Sequence, residues 1–343
     1  MYARSLYALA EQFCSIRTPE QLGGLLFCHE HTLVLTAANP VYRTFKLPKK
    51  ESGFRIIEDP NDALKKILGT LNDYLQATLY RHRNAYMFGF LVNAEDDAEA
   101  RHIVSNAEAH EDAVFLLNID LKDFFHHISW IKTKAIFTAK PFRFPDELAT
   151  LLANLCTYNG RLPMGSPTSP ALSNFAAMSL DTALGAYAKS KNWRFTRYAD
   201  DLSFSSENKI SETESIEIQQ LIANYDFVVN PKKVKLMGEK EEKIVTGILL
   251  AKGKIGIPPA YMKQLRDEIE HLAYTVILGI RYKGRAPKWL NNYAQQIRGK
   301  LAFVEQVIGE HHHDYVQLTR QYKKALQPPE EDLAVLNWLD FPY

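Results

Sequence analysis

The chain has 343 residues, 46% of them hydrophobic and 11% aromatic, and its 41 Lys and Arg against 40 Asp and Glu leave a formal net charge of +1. This composition belongs to one large or two to three small packed units; it excludes a disordered chain, and bulk charge gives no general attraction to nucleic acid. The N-terminus MYARSLYALAEQF lacks a signal peptide's apolar run and no stretch is apolar enough to span a bilayer, so a cytoplasmic protein with no membrane contact is expected.

Residues 1–40 read as helical and irregular. Residues 41–60, VYRTFKLPKKESGFRIIEDP, predict two short strands around a Lys-Lys-Glu-Ser-Gly turn, closed by Pro60. From Asp62 to Leu75 the spacing of Leu64, Ile67, Leu68, Leu71 and Leu75 predicts an amphipathic helix. The continuous apolar run 114–121, VFLLNIDL, suits a buried strand, yet it contains Asp120. Residues 169–187 predict a helix capped by Ser169, with Pro170 in its first turn and Leu172, Phe175, Ala176, Leu180, Ala183, Leu184 and Tyr187 on its apolar face. Residues 194–206, RFTRYADDLSFSS, form a hairpin around Ala-Asp-Asp. Ser211 and Glu214 make a capping box for a helix bearing Ile218, Leu221, Ile222 and Tyr225. A strand at 227–230 and a hairpin over 245–258 follow, and the remainder is mostly helical. Strand, helix, hairpin, helix, strand is a split βαβ arrangement, an α+β fold whose antiparallel sheet carries helices on one face.

Cys14, Cys28 and Cys156 lack CxxC spacing and read as buried thiols in a reducing compartment, and His311, His312 and His313 read as a solvated loop. An unpaired buried carboxylate is costly, so Asp120 needs a cation beside it, a metal ion or a salt-bridging Lys. Asp200 and Asp201 alone are ordinary turn residues. Brought beside Asp120 by the sheet, they supply the oxygen ligands that Mg²⁺ prefers, and phosphoryl transfer from a nucleoside triphosphate uses two such cations about 4 Å apart. From Lys252 to Lys300 ten Lys or Arg face three Asp or Glu, interleaved with Tyr261, Tyr274, Tyr282, Trp289 and Tyr293. Such a segment can neutralise phosphates and stack on bases, or it can be a solvated helix pair.

Three motifs in order, Asp120-Leu-Lys-Asp-Phe-Phe125, Leu162-Pro-Met-Gly-Ser-Pro-Thr-Ser-Pro170 with Asn174, and Tyr198-Ala-Asp-Asp201, resemble the first three palm motifs of reverse transcriptases. Segments 42–60 and 292–304 resemble fingers and thumb, so the resemblance covers roughly residues 40–305. It implies a right-hand polymerase with two Mg²⁺ ions, replaceable by Mn²⁺, and deoxynucleoside triphosphates as substrates. Asp120 and Asp200 would be direct metal ligands, Asp201 the third carboxylate, and Leu121 a backbone carbonyl ligand. Phe125 would be the steric gate beneath the sugar. Arg55 with Lys46, Lys49 or Lys50 would grip the triphosphate, and Lys233 would approach the leaving pyrophosphate. Met164 stands where Gln is usual; with Gly165, Ser166 and Pro167 it would position template and incoming base.

Asn106-Ala-Glu-Ala-His110 and Val245-Thr-Gly247 resemble signatures of bacterial retron reverse transcriptases, which places Asn106, His110, Val245, Thr246 and Gly247 among expected RNA contacts. Arg281, Lys283, Arg285 and Lys288 join them from the basic segment. The resemblance implies a cognate structured non-coding RNA serving as primer and template. Its product would be a branched RNA–DNA hybrid (msDNA), and a neighbouring effector protein would act with it in antiphage defence. The expected organisation is a helical extension at 1–40, part of the fingers at 41–112, palm with an embedded fingers segment at 113–245, and a thumb with RNA-binding region at 246–343. Other readings are a group II intron-like, abortive-infection or diversity-generating reverse transcriptase, and a non-catalytic RNA-binding scaffold.

Overall fold

The computed structural model describes residues 1–48, 53–251, 253–283 (281–283 as backbone) and 289–327. It divides into two compact units, Met1–Glu241 and Glu242–Tyr343.

In the first unit, helices α1 (Ala3–Ser15), α2 (Pro19–Leu25) and α3 (Glu30–Ala38) precede the hairpin β1 (Tyr42–Pro48) and β2 (Phe54–Pro60). This hairpin is antiparallel, with Leu47 opposite Arg55, and its apolar residues Phe45, Leu47, Phe54 and Ile56 are exposed. The expected helix at 62–75 runs on as α4 (Asp62–His82), because Tyr74, Ala77, Thr78 and Leu79 continue its buried face. Asn61 caps it by accepting from the Leu64 amide at 2.9 Å. After α5 (Ile103–Glu108) comes the buried strand β3 (Phe115–Asp120), followed by α6 (Trp130–Thr138) and α7 (Asp146–Cys156). Helix α8 (Ser169–Ser190) then leads into β4 (Arg194–Tyr198), β5 (Asp201–Ser206), α9 (Glu212–Ala223) and β6 (Lys235–Met237). The four strands form one antiparallel sheet in the order β4-β5-β3-β6. A continuous apolar core beneath it includes Leu117, Ile119, Leu172, Leu180, Leu202 and Phe204.

Four local expectations are corrected. Ser169 does not cap α8; its hydroxyl donates to the Pro163 carbonyl at 2.7 Å, which stitches the preceding loop to the helix, while Pro170 does lie in the first turn. Residues 227–230 make only an isolated bridge, Leu121 to Val229, and the fourth strand is β6, since Leu116, Leu117 and Asn118 pair with 235–237. Tyr225 lies beyond the end of α9. Cys14 and Cys28 are half-buried; of the three thiols, only Cys156 is fully enclosed.

The second unit holds a three-stranded sheet, β7 (Lys243–Val245), β8 (Ile248–Leu250) and β9 (Ile255–Gly256), and the helices α10 (Pro259–Lys283), α11 (Leu290–Ile308) and α12 (His313–Leu326). A boundary at 245/246 would cut β7 from its partner β8; the break falls instead between Glu241 and Glu242. The helices enclose their own core, including Leu265, Ile269, Ile297, Leu301 and Leu318. His311 is exposed, and His312 caps α12 through Nδ1, accepting from the Asp314 amide at 3.2 Å. Among the described residues no helix is long and apolar enough to cross a membrane.

Candidate active site

Strand register brings the carboxylates together. Asp120 ends β3 directly opposite Asp201, the first residue of β5. Asp200 lies in the two-residue turn between Tyr198 and Asp201, its carbonyl accepting from the Leu121 amide at 2.9 Å. Directly opposed residues in an antiparallel pair have Cβ atoms about 4.5–5.5 Å apart, so the two side chains share one face. Burial pushes the Asp200 carboxyl above the usual range, reinforced by the charge of Asp120 and offset by Lys233 and Arg55. Asp201 as a residue is exposed, but its carboxyl is crowded by protein; desolvation, then Asp200 and Asp120, push it up to about 6.

Lys233 answers the cost of burying Asp120. Its Nζ lies 2.5 Å from Asp120 Oδ1, and Asn230 Nδ2 donates to Oδ2 at 3.3 Å. The ammonium therefore sits on a carboxylate, where the resemblance had it near a pyrophosphate. Among the described residues, no three acidic, His or Cys side chains converge to hold a metal ion by themselves. The donor set still fits a hard cation, because it consists of mutually repelling oxygen anions. An ion such as Mg²⁺ takes one or two carboxylates and completes its shell with water and phosphate.

The turn is held by groups that the motifs do not reveal. Arg197, next to Tyr198, is 0% exposed. Its Nε and Nη2 donate to Asp181 of α8 at 2.5 and 2.7 Å, and Nη1 donates to Asn174 Oδ1 at 2.9 Å and to the Ala199 carbonyl at 3.1 Å. Asp181 also accepts from Asn84 Nδ2 at 3.0 Å, so the buried pair is well satisfied. Asp181 interrupts the apolar face of α8, and a carboxylate in that position was the available signal. Gly89 presses against the same turn; a Cβ there would lie 2.5 Å from the Ala199 amide nitrogen.

The β1–β2 hairpin is anchored by a second buried carboxylate, Glu58. Arg161 donates to both of its oxygens, at 2.9 and 3.0 Å, and the carboxyl is held below the usual range by Arg161 and the Met164 amide against the cost of burial. The Glu58 amide donates to the Met164 carbonyl at 2.8 Å, and the Met164 amide donates to Glu58 Oε2 at 3.3 Å. Gly165, at φ +135°, allows the approach, since a Cβ would meet the Glu58 carbonyl at 2.7 Å. Both backbone groups of Met164 are thus engaged by β2. Ser166 is buried with its hydroxyl 3.1 Å from Thr168 Oγ1, whereas Pro167 is half-buried. Phe125 lies in a short 3₁₀ turn, Phe124–His127, half-buried with its ring 5.8 Å from that of Phe90. Lys46 and Arg55 lie on the exposed hairpin strands; Lys49 and Lys50 lie outside the described residues.

The expected RNA contacts divide. His110 is fully buried, its Nδ1 2.7 Å from Ser205 Oγ and its Nε2 2.8 Å from Thr196 Oγ1. Burial, aided by the nearby Arg194 charge, lowers its pKa to about 3. Asn106 is buried on α5. Both are corrected to palm-core residues with no surface for RNA. Val245 is buried too, and Thr246 and Gly247, at φ +49° and +83°, form the two-residue turn between β7 and β8 that requires φ > 0 at both positions. Tyr274 and Trp289 are exposed, whereas Tyr261 and Tyr293 pack on the helical core and Lys300 pairs with Glu268 at 2.5 Å. Arg281 and Lys283 lie in the last turn of α10; Arg285 and Lys288 lie outside the described residues.

Comparison with known proteins adds lineage to this geometry. A family model described as "Reverse transcriptase (RNA-dependent DNA polymerase)" matches residues 47–270. The chain is 27% identical over 295 residues to the retron Ec86 reverse transcriptase of Escherichia coli, covering 85% of this chain and 84% of that protein. It is 30% identical over 222 residues to the retron Ec73 reverse transcriptase of Escherichia coli, covering 60% and 67%. Among solved structures, a telomerase from Candida albicans aligns with a TM-score of 0.46 at 11% identity, covering 84% of this chain and 60% of that one.

Proposed function

The chain belongs to the reverse transcriptase family, in its bacterial retron branch, and from that premise we propose how its residues divide the labour of RNA-directed DNA synthesis. The observation that supports the reading is the register that sets Asp120 against Asp201 beside the Asp200 turn. Asp120, Asp200 and Asp201, with the Leu121 carbonyl, would hold two Mg²⁺ ions, or Mn²⁺ in their place. These ions would supply activation of the attacking hydroxyl and charge neutralisation on the leaving pyrophosphate. Lys233, which pairs with Asp120 Oδ1 at 2.5 Å, would supply a positive charge for the leaving pyrophosphate beside those carboxylates. Arg55, with one of Lys46, Lys49 and Lys50, neutralises the triphosphate from the fingers hairpin. Phe125 closes the space beneath the sugar, so a ribose 2′-hydroxyl is excluded and deoxynucleotides are selected.

In this reading residues 1–40 are a helical extension, 41–112 belong to the fingers, the palm extends to the break after Glu241, and the second unit is the thumb. Arg281, Lys283, Arg285 and Lys288, with Tyr274 and Trp289, grip the backbone and bases of a cognate structured non-coding RNA. Synthesis starts from a guanosine 2′-hydroxyl of that RNA, which attacks the α-phosphate of the first deoxynucleotide, forming a 2′–5′ phosphodiester and releasing pyrophosphate. The product is branched msDNA, made in the cytoplasm and held with a neighbouring effector protein for antiphage defence. The deciding experiment replaces Asp200 and Asp201 by Asn. Mg²⁺-dependent extension of an annealed primer–template is abolished, while circular dichroism and RNA binding stay near wild type. Robust extension by the double variant refutes the assignment.

A further inference from the structure

Residues 86–88 run along the outer edge of β4, and Phe90 just beyond them packs against Phe125. The Arg197 amide donates to the Tyr86 carbonyl at 2.7 Å and the Phe88 amide to the Arg197 carbonyl at 2.8 Å, with Met87 and Arg197 in a parallel bridge. Gly89 then lies flat on the Ala199–Asp200 turn, where no side chain fits. Phe90 follows with φ +58°, a left-handed conformation that a bulky aromatic residue adopts only when its surroundings impose it.

Those surroundings are specific. The Phe90 carbonyl accepts from Gln76 Nε2 at 3.1 Å and Asn174 Nδ2 at 3.4 Å, while the Gln76 side-chain oxygen accepts from the Val92 amide at 3.2 Å. Asn174 Nδ2 also donates to the Gly89 carbonyl at 2.9 Å, and Asn174 Oδ1 accepts from Arg197. Held this way, the Phe90 ring tilts by 31° against Phe125, whose other neighbour, Phe124, stands at 6.0 Å. Phe125 thus has two aromatic neighbours, one from its own turn at 6.0 Å and one from a strained strap at 5.8 Å.

We propose that Phe90 is a specificity-determining positioning residue, which fixes the Phe125 ring beneath the 2′ carbon of the incoming nucleotide. This rests on Phe125 being the wall beneath the sugar. The side-chain amides of Gln76 and Asn174, which hold the Phe90 carbonyl against the strain of its backbone, keep the buttress from retreating when a 2′-hydroxyl pushes on Phe125. Asn174 ties the buttress to the same guanidinium that clamps the metal-binding turn, so sugar wall and carboxylates move as one piece.

The test measures kcat/KM for a deoxynucleotide and for the matching ribonucleotide in the full chain, for Phe125→Val, Phe90→Ala, Phe90→Tyr and the double variant Phe90→Ala/Phe125→Val. Phe125→Val lowers discrimination most. Phe90→Ala lowers it by roughly two- to tenfold, the scale of one aromatic pair. Phe90→Tyr, which keeps the ring, restores it. The double variant discriminates no worse than Phe125→Val alone, because the buttress acts only through the gate. A Phe90→Ala enzyme with unchanged discrimination, beside a Phe125→Val enzyme that has lost it, overturns the buttress and leaves the gate standing. Unchanged discrimination in Phe125→Val overturns the gate and the buttress with it. Should Phe90→Ala fail to fold, Phe90→Leu takes its place: it fills the space without a flat face, and wild-type discrimination by it overturns the proposal.

Discussion

Replacing Arg197 by Met separates what the buried guanidinium does for the fold from what it does for the turn that carries Asp200. Met fills much of the same space and removes every donor, leaving the Asp181 carboxylate, 0% exposed, with Asn84 as its remaining side-chain partner. Breaking one side of a buried ion pair costs about 3–5 kcal/mol, which is a large part of the about 5–15 kcal/mol that holds a domain together. At about 4 kcal/mol the folding constant falls by roughly three orders of magnitude. Urea unfolding followed by circular dichroism should show a clear drop in midpoint. Arg197→Met/Asp181→Leu removes the stranded charge and should recover most of that stability, since apolar replacement of a buried pair is often near neutral. Activity should not recover with it. The Ala199 carbonyl and Asn174 have lost their donor, and the turn that carries Asp200, with Ala199 at φ +58°, has lost its clamp. Single-turnover primer extension at a temperature where both proteins are folded reads this directly. A double variant as stable and as fast as wild type would refute the clamp and reduce the pair to a core contact.

His110 should make the palm acid-sensitive in a defined window. Its folded pKa of about 3 lies far below the ordinary value of 6.5, so the unfolded chain takes up a proton that the folded chain refuses; its contribution is whole above 6.5 and is lost as pH falls toward 3. The charged groups bearing on it are Arg194, which disfavours the proton, and Asp112, which pairs with Arg194 at 3.7 Å. From pH 7 to pH 5 the loss is about 2 kcal/mol, so the stability gap between wild type and His110→Gln should narrow by that amount in urea titrations; a gap independent of pH would mean that the imidazole is not buried neutral. Neutralising Arg281, Lys283, Arg285 and Lys288 together should weaken binding of the copurifying RNA and flatten its salt dependence, with extension of an unrelated annealed primer–template retained; an unchanged salt slope places the RNA elsewhere.

Much of the first unit was legible because burial follows period. The helix from Asp62, the strand ending in Asp120 and the hairpin around Asp200 each show one clear periodicity, and motif order then points to a shared site. What stayed hidden has a physical pattern as well. Strand β6 is three residues long and offers no alternation to read, so the stronger β-propensity of 227–230 misdirects the fourth strand. Ser169 carries the residue type of an N-cap but spends its hydroxyl on Pro163. Asn106 and His110 have the polarity of RNA contacts, and only the fold shows Ser205 and Thr196 waiting for the imidazole inside the sheet. The second-unit boundary shifted because β7 belongs to the hairpin that follows it.

The residues hardest to foresee are the polar ones that position others, and they converge on one structural requirement. A cluster of repelling carboxylates cannot hold itself together unaided. Its geometry must be imposed by groups with charges and donors of their own. Here Lys233 neutralises Asp120 from the front, while Arg197 grips the turn from behind. Three segments far apart in sequence, Asn84–Phe90, Asn174–Asp181 and Arg197–Ala199, meet through that one guanidinium and its amide neighbours. The contacts of Arg197 and Asn174 are buried and that of Asn84 partly so, so they would be costly if unmade, and the array therefore has few alternative arrangements. A buried polar network adds little net stability, but it specifies where the turn must lie. That is what an anionic site needs from the protein around it.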